Sequence, residues 1–293
     1  MAEMNSDEER VKSSKRATRV SFSTNCFLAL TKGGIGFWIG SISLIADSID
    51  SSLDVVSSII VLLGIHLSSK PADEEHPFGH GKYEMVSTLG ISTILFMSSG
   101  MIIHGALDRL ASSAVIEFHP VGLVIAVVGI IGKLALFQYL LRVGRRTRST
   151  IVIADAYNNR TDSLATIGVL FAMVGLYFGL SWIDPVVAVG ITLIIIYTGI
   201  SISKMALATL LDVRPSQTVL DKIRSIAASI DGIQEIHKLR ARQMGGYVLA
   251  DAHILVHRDL TIEQGHRIAE EFEKRVKAET NVRDIIVHIE PAT

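Results

Sequence analysis

The chain has 293 residues, of which 49% are hydrophobic and only 19% charged, with a formal net charge of -1 and a mean hydropathy of +0.42. Soluble domains run nearer a quarter charged, so this composition argues against a soluble enzyme and predicts membrane spans. No basic domain or basic patch with interleaved aromatics appears, which excludes nucleic acid as a partner.

The polar first eighteen residues lead into a full-length apolar run, unlike the short core and cleavage site of a secretory signal, so the first span is expected to be retained. Crossing roughly 30 Å of hydrocarbon takes about 20 apolar residues. Six segments qualify: Val20–Ile39, Ile42–His66, Met85–Leu107, Val121–Leu141, Ile151–Leu176 and Pro185–Leu207. The second and fifth are interrupted by acids and amides, and the others are nearly free of charge apart from Lys32 and Lys133. Cys26, the single cysteine, lies within the first apolar run, which excludes an intramolecular disulfide and a Cys-cluster zinc site. The alternating ten-residue pattern of a membrane barrel is absent.

Basic residues cluster in alternate connections. Arg10, Lys12, Lys15, Arg16 and Arg19 precede the first span, Lys70 and Lys82 follow the second, and Arg142, Arg145, Arg146 and Arg148 follow the fourth. The opposite connections hold essentially Arg109 alone. This bias places both termini in the cytosol and the chain, as a multi-pass protein, in the cell (inner) membrane.

The charge-rich tail reads as an αββαβ unit of ferredoxin-like, two-layer type. Val219–Ile230 has helical periodicity and stops at Asp231-Gly232; His237–Gln243 and Tyr247–Val256 flank Gly245-Gly246 as strands. Thr261–Glu279 is a second helix opening with a capping-box pair, Thr261 and Gln264, and Ile285–Ile289 is the last strand. The expected division is residues 1–212 as a six-helix transmembrane domain and 213–293 as a cytosolic domain.

Three clusters carry chemistry. In the second span Asp50 and Asp54 are four apart, so they share a helix face, and in the fifth Asn158 and Asp162 repeat that spacing. A charged side chain at mid-bilayer costs about 2.5–3.5 kcal/mol on insertion scales, so these acids need a compensating cation. Converging, the four side chains would offer a divalent ion three carboxylates and an amide oxygen. Asp47 and Asp155 fit equally well near helix ends or beside Arg160. The loop after the second span carries Asp73, His76 and His80, a zinc-type ligand set that would otherwise be an ordinary polar loop. The tail holds His237, His253, His266, His288 and Glu290, more than scattered surface histidines would give.

The segments GSISLIADSIDSSLD, SSKPADEEHPFGHGKYE, ADAYNNRTDS, LLD and HKLRARQ together resemble the cation diffusion facilitator family, bacterial and archaeal branch, over essentially the whole chain. That resemblance implies a homodimeric antiporter, not an enzyme, that exports divalent metal in exchange for protons. Metal is then both substrate and regulator, and no prosthetic group is involved. It implies a transport site at Asp50, Asp54, Asn158 and Asp162, a loop site at Asp73, His76 and His80, and tail sites at His237, His253, His266, His288 and Glu290. It further implies an interlock of charges near the dimer interface at Lys82 and Asp212. Glu290 is a mild departure, since well-known zinc carriers have Asp there.

Asn158 is the larger departure, because zinc-selective relatives carry histidine at that position. An all-oxygen site is harder and favours Mn²⁺ over Zn²⁺, with Fe²⁺ and Zn²⁺ as alternatives. Two competing readings are a membrane-embedded metal-dependent transferase, for which no acid-rich enzyme motif appears, and a transport-poor scaffold of the same family, against which the intact four-residue site argues.

Overall fold

The computed structural model describes residues 2–39, 42–112, 120–178 and 183–292. The side chains of Asp47 and Asp50 lie outside the described residues, although their backbone belongs to the second helix. The chain forms two compact units, residues 1–206 and 207–293.

The first unit contains α1 (Ala2–Ile39), α2 (Ile42–Ser68), α3 (Tyr83–Ser112), α4 (Pro120–Thr147) and α5 (Thr150–Tyr177), with α6 (Ile183–Leu210) running into the second unit. Among the described residues, four of these, α2, α3, α4 and α6, include windows long and apolar enough to cross a membrane. The more polar α1 and α5 bury several polar residues between helices, among them Asn25, Lys32, Asp155, Asn158 and Asn159. Large apolar side chains such as Leu30, Phe37, Trp38, Ile131 and Leu193 instead point outward. A polar interior inside an apolar exterior is the arrangement hydrocarbon demands of a helical bundle. A smaller apolar core, including Val61, Ile91, Leu95, Leu140 and Ile151, ties α2, α3, α4 and α5 together. Gly64 permits that approach, since a Cβ there would meet Ile151 Cδ1 at 2.5 Å and Ser87 Cβ at 2.6 Å.

The helices run past the apolar segments, α1 most of all. α1 starts at Ala2 rather than near Val20, because residues 10–19 present a continuous buried stripe, with Ser14, Ala17 and Thr18 inside. α4 runs on from Leu141 to Thr147. The sharp α4–α5 turn, with Arg148 at φ +52°, is closed from both sides. The Arg10 guanidinium donates to the Thr147 carbonyl at 2.7 and 3.0 Å, and the Glu84 carboxylate accepts from the Ser149 hydroxyl at 2.7 Å and the Ile151 N–H at 3.2 Å. A cation therefore satisfies the α4 C-terminus and an anion the α5 N-terminus, each against the favourable end of a helix dipole.

The second unit holds α7 (Gln217–Ala228), β1 (Ile233–Met244), β2 (Tyr247–Val256), α8 (Ile262–Glu279) and β3 (Val282–Pro291). The sheet order is β1-β2-β3, with β1 and β2 antiparallel and β2 and β3 parallel across the α8 crossover. Alternation in β2 turns Val248, Ala250, Ala252, Ile254 and Val256 into a core shared with Ile223 and Ile226 of α7 and Phe272 and Val276 of α8. The expected capping box at Thr261 and Gln264 is formed. β1 begins four residues before the expected start, because a register shift between His237 and Arg240, with Lys238 at φ +48°, interrupts its alternation. Gly245 at φ +59° makes the two-residue turn into β2.

Phe272 is fully buried in this core. Phe272→Ala is expected to lower the stability of the 207–293 unit by about 3–5 kcal/mol, as cavity-forming aromatic truncations do. Urea unfolding of that fragment, followed by far-UV circular dichroism, measures the loss.

Candidate metal sites

Inside the helical unit the second-span and fifth-span residues meet. Asp54, on α2, is 5% exposed and accepts a hydrogen bond at 3.0 Å from the Asn158 side-chain amide on α5. Asp162, one turn further along α5, accepts at 2.8 Å from the ammonium of Lys133 on α4, and the same ammonium is ion-paired with Asp54. Asp50 lies one turn before Asp54 on α2, but its side chain is among those not described. Lys133 was visible as the lone charge in the apolar run 121–141, and a lone ammonium at such depth requires an anionic partner. What the sequence does not reveal is which acid that partner is.

A polar line continues from this cluster toward the end of the bundle that carries the α4–α5 turn. The Ser58 hydroxyl donates to the Asp54 carbonyl at 3.0 Å and accepts from the Asn25 amide at 3.3 Å, and Ser21 lies 3.4 Å from it. Asn159 donates to the Asp155 carbonyl at 2.9 Å. Among the described residues, Asp155 Oδ2, Asn25 Oδ1, Asn159 Oδ1 and Ser57 Oγ are buried without a hydrogen-bond partner.

The α2–α3 loop folds around Asp73. Its carboxylate accepts the His76 backbone N–H at 2.7 Å, lies 3.3 Å from His76 Nδ1, and through its other oxygen lies 3.3 Å from His80 Nε2. The His76 N–H, with the two imidazoles beside it, holds the Asp73 carboxyl below the usual carboxylate range. His80 is 7% exposed and its Nδ1 lies 3.0 Å from the Pro71 carbonyl. A carbonyl only accepts, so Nδ1 is the donor there, and Nε2 is the ring atom turned toward Asp73, placed to ligate an ion set between them. A backbone acceptor that fixes the tautomer in this way is a usual companion of a metal-binding histidine. Gly79, at φ +80°, makes the turn that returns His80 to Asp73.

In the second unit the sheet register does the corresponding work. His237 pairs with His253 across β1–β2, and His253 pairs with His288 across β2–β3, so the three imidazoles form a row across the strands. Glu290, two residues after His288, reaches back over that row to His253 Nδ1 at 2.7 Å and His237 Nε2 at 3.1 Å. His237, His253 and Glu290 thus offer ligand atoms within 4.8 Å of one another. His288 stands beside them, its ring 4.6 Å from that of His253, whereas exposed His266 on α8 pairs with Glu270 at 3.3 Å. The hydrogen bond with His253, reinforced by the charges of Lys238 and His237, holds the Glu290 carboxyl down at about 2. Of the remaining two candidates, Lys82 precedes α3 in the helical unit, and Asp212, at φ +57°, lies 3.5 Å from Arg242 in the other.

A bundle with buried acids at its centre, joined to a small domain with a histidine–carboxylate cluster, defines a membrane carrier for metal cations. The chain belongs to the cation efflux family: residues 18–211 match its transmembrane domain and residues 215–292 its cytoplasmic domain. It is similar to the manganese efflux system protein MneP of Bacillus subtilis, with 30% identity over 97% of this chain and 98% of that one. It is also similar to the cation-efflux pump FieF of Cronobacter sakazakii, with 30% identity over 99% and 96%, and to the magnetosome protein MamB of Magnetospirillum gryphiswaldense, with 29% identity over 93% and 92%. A solved variant of the MamM C-terminal domain shares 28% identity with 26% of this chain, covering 98% of that chain, with a TM-score of 0.26. The protein is accordingly a divalent metal efflux transporter of the membrane rather than an enzyme, and its second unit is the family's dimerising domain.

Glu290→Gln is expected to weaken Mn²⁺ or Zn²⁺ binding by the 207–293 unit at least about tenfold, the range seen even for outer-shell changes, while His266→Ala leaves it near wild type. A carboxylate with a depressed pKa keeps its charge, and the stability its ion pairs give, until the pH falls toward that value. Glu290 therefore stays ionised throughout the range from about pH 7.5 to 5.5, and its own protonation does not weaken metal binding there. Calorimetric titrations of wild type and Glu290→Gln at one pH in that range measure the difference.

Proposed function

We propose that this protein exports divalent metal from the cytosol in exchange for protons, by alternating access, with Mn²⁺ preferred and Fe²⁺ or Zn²⁺ as secondary cargo. The ion is held by Asp50, Asp54, Asn158 and Asp162. Protons entering from the opposite side compete for the same carboxylate oxygens and release it. Both termini and the second unit face the cytosol across the inner membrane, with the loop cluster and tail cluster as accessory metal sites and Lys82 and Asp212 as an interlock near the dimer interface.

The observation that carries the metal preference is the side chain at position 158. It lies in hydrogen-bond contact with Asp54, so it belongs to the same cluster, and it is an amide rather than an imidazole. Its Nδ2 donates to Asp54, and a half-turn of the amide presents its oxygen to a cation. Hard, neutral oxygen suits Mn²⁺ and offers Zn²⁺ none of the nitrogen it takes readily. The manganese efflux names of MneP and of a second relative, MneS, at 30% and 29% identity, point in the same direction.

Two substitutions test the reading. Asp54→Ala is expected to reduce Mn²⁺ flux in proteoliposomes to background while the protein still inserts and dimerises, and wild-type flux would remove Asp54 from the site. Asn158→His is expected to shift competition between Mn²⁺ and Zn²⁺ toward Zn²⁺ and, because imidazole titrates, to steepen the pH dependence of flux near neutrality. An unchanged Mn²⁺/Zn²⁺ ratio would overturn the role given to Asn158.

A further inference from the structure

The Lys133 ammonium lies between the carboxylates of Asp54 and Asp162. Its side chain is 7% exposed, it reaches Asp162 Oδ2 at 2.8 Å, and it is paired with Asp54 Oδ2. The three charges come from three different helices, α2, α4 and α5, and Lys133 is the lone charge in its apolar run. An ammonium buried at this depth is held only by its anions, and a metal ion needs those same carboxylates as ligands. Both cations cannot be accommodated: oxygens that ligate a divalent ion at about 2.0–2.2 Å leave an adjacent ammonium facing the ion's charge across a few ångströms of poorly screened space.

We infer that Lys133 is a tethered counter-cation that fills the transport site when metal is absent and that cargo must displace. The inference rests on the assignment of Asp54 and Asp162 to that site. It makes loading an exchange of one cation for another, so the carboxylates are compensated in both states. The cost of breaking the Lys133 pairs is subtracted from the metal's binding energy, which keeps the site weak enough to let go. In the empty carrier the ammonium keeps α2, α4 and α5 together where repelling carboxylates would otherwise face one another. Lys133 is thus a competitor and positioning residue, not a ligand.

The test uses the full-length protein in nanodiscs and measures Mn²⁺ binding from the electron spin resonance signal of free Mn²⁺. Lys133→Met keeps an unbranched side chain of similar size and removes the charge. It is expected to tighten binding about tenfold, within the 5–150-fold span usual for coupled sites, and to slow flux per transporter as release becomes limiting. Lys133→Arg retains the charge and should bind as weakly as wild type. A purely structural role for Lys133 predicts the reverse, with Lys133→Met binding more weakly. Equal or weaker binding in a folded, dimeric Lys133→Met protein would overturn the inference. Should that variant misfold, the wild-type protein decides: saturating Mn²⁺ should raise acetylation of Lys133 by acetic anhydride severalfold, read by mass spectrometry, and unchanged labelling would likewise overturn the inference. If Asp54→Ala leaves the number of Mn²⁺ ions bound per chain unchanged, the site assignment itself fails. If it removes one ion per chain while Lys133→Met leaves the affinity for that ion unaltered, only the displacement fails.

Discussion

The arrangement of the helical unit depends on neutralising charge where water is scarce. Asp54 and Asp162 belong to helices that are separate in sequence, and the ammonium of Lys133 joins them from a third. Removing one partner of a buried pair leaves an uncompensated charge, which is far more costly than the pair itself is stabilising. That asymmetry fixes how α2, α4 and α5 face one another more strictly than apolar contact would, because lipid tails satisfy an outward Leu as well as a neighbouring helix does. The polar interior of α1 follows from the same constraint, since Asn25 and Ser21 find a partner in Ser58 of α2.

Functionally, a site held together by exchangeable charges suits a carrier better than one lined by rigid neutral groups. On the proposed reading, cargo, proton and ammonium are three cations competing for one set of carboxylates, and at any moment one of them can satisfy it. The orphaned oxygens of Asp155, Asn25 and Asn159 prolong the polar character one turn toward the α4–α5 end. The two histidine clusters are built differently. The loop cluster relies on local turns around Asp73, whereas the tail cluster relies on sheet register and on a carboxylate that reaches back across two strands.

Much of this was legible in the sequence because it depends on short spacings. The i,i+4 pairs Asp50/Asp54 and Asn158/Asp162, the Thr261/Gln264 box and the apolar runs need only helix geometry to be read. What could not be read were partnerships over distance. Lys133 and Asp54 are 79 residues apart, and Arg10 and Thr147 are 137 apart, so no local pattern signals either contact. The tail histidines were recognisable as a group, but their sorting was not. Whether His237 joins His253 and Glu290, and His266 turns away to Glu270, depends on a bulge in β1 and on the face of α8, and neither is encoded as a spacing.

The closure of the α4–α5 corner has a mechanical consequence. Arg10 of α1 and Glu84 of α3 grip the facing ends of α4 and α5 through backbone carbonyl, backbone N–H and hydroxyl groups. Those bonds fasten four helices at a single knuckle, where two charged side chains are anchored to the backbone ends of the hairpin. An alternating movement that kept them would have to treat the α4–α5 hairpin as a lever pivoting there, so that a few degrees of tilt at the knuckle become a displacement of ångströms at the level of Lys133 and Asp162.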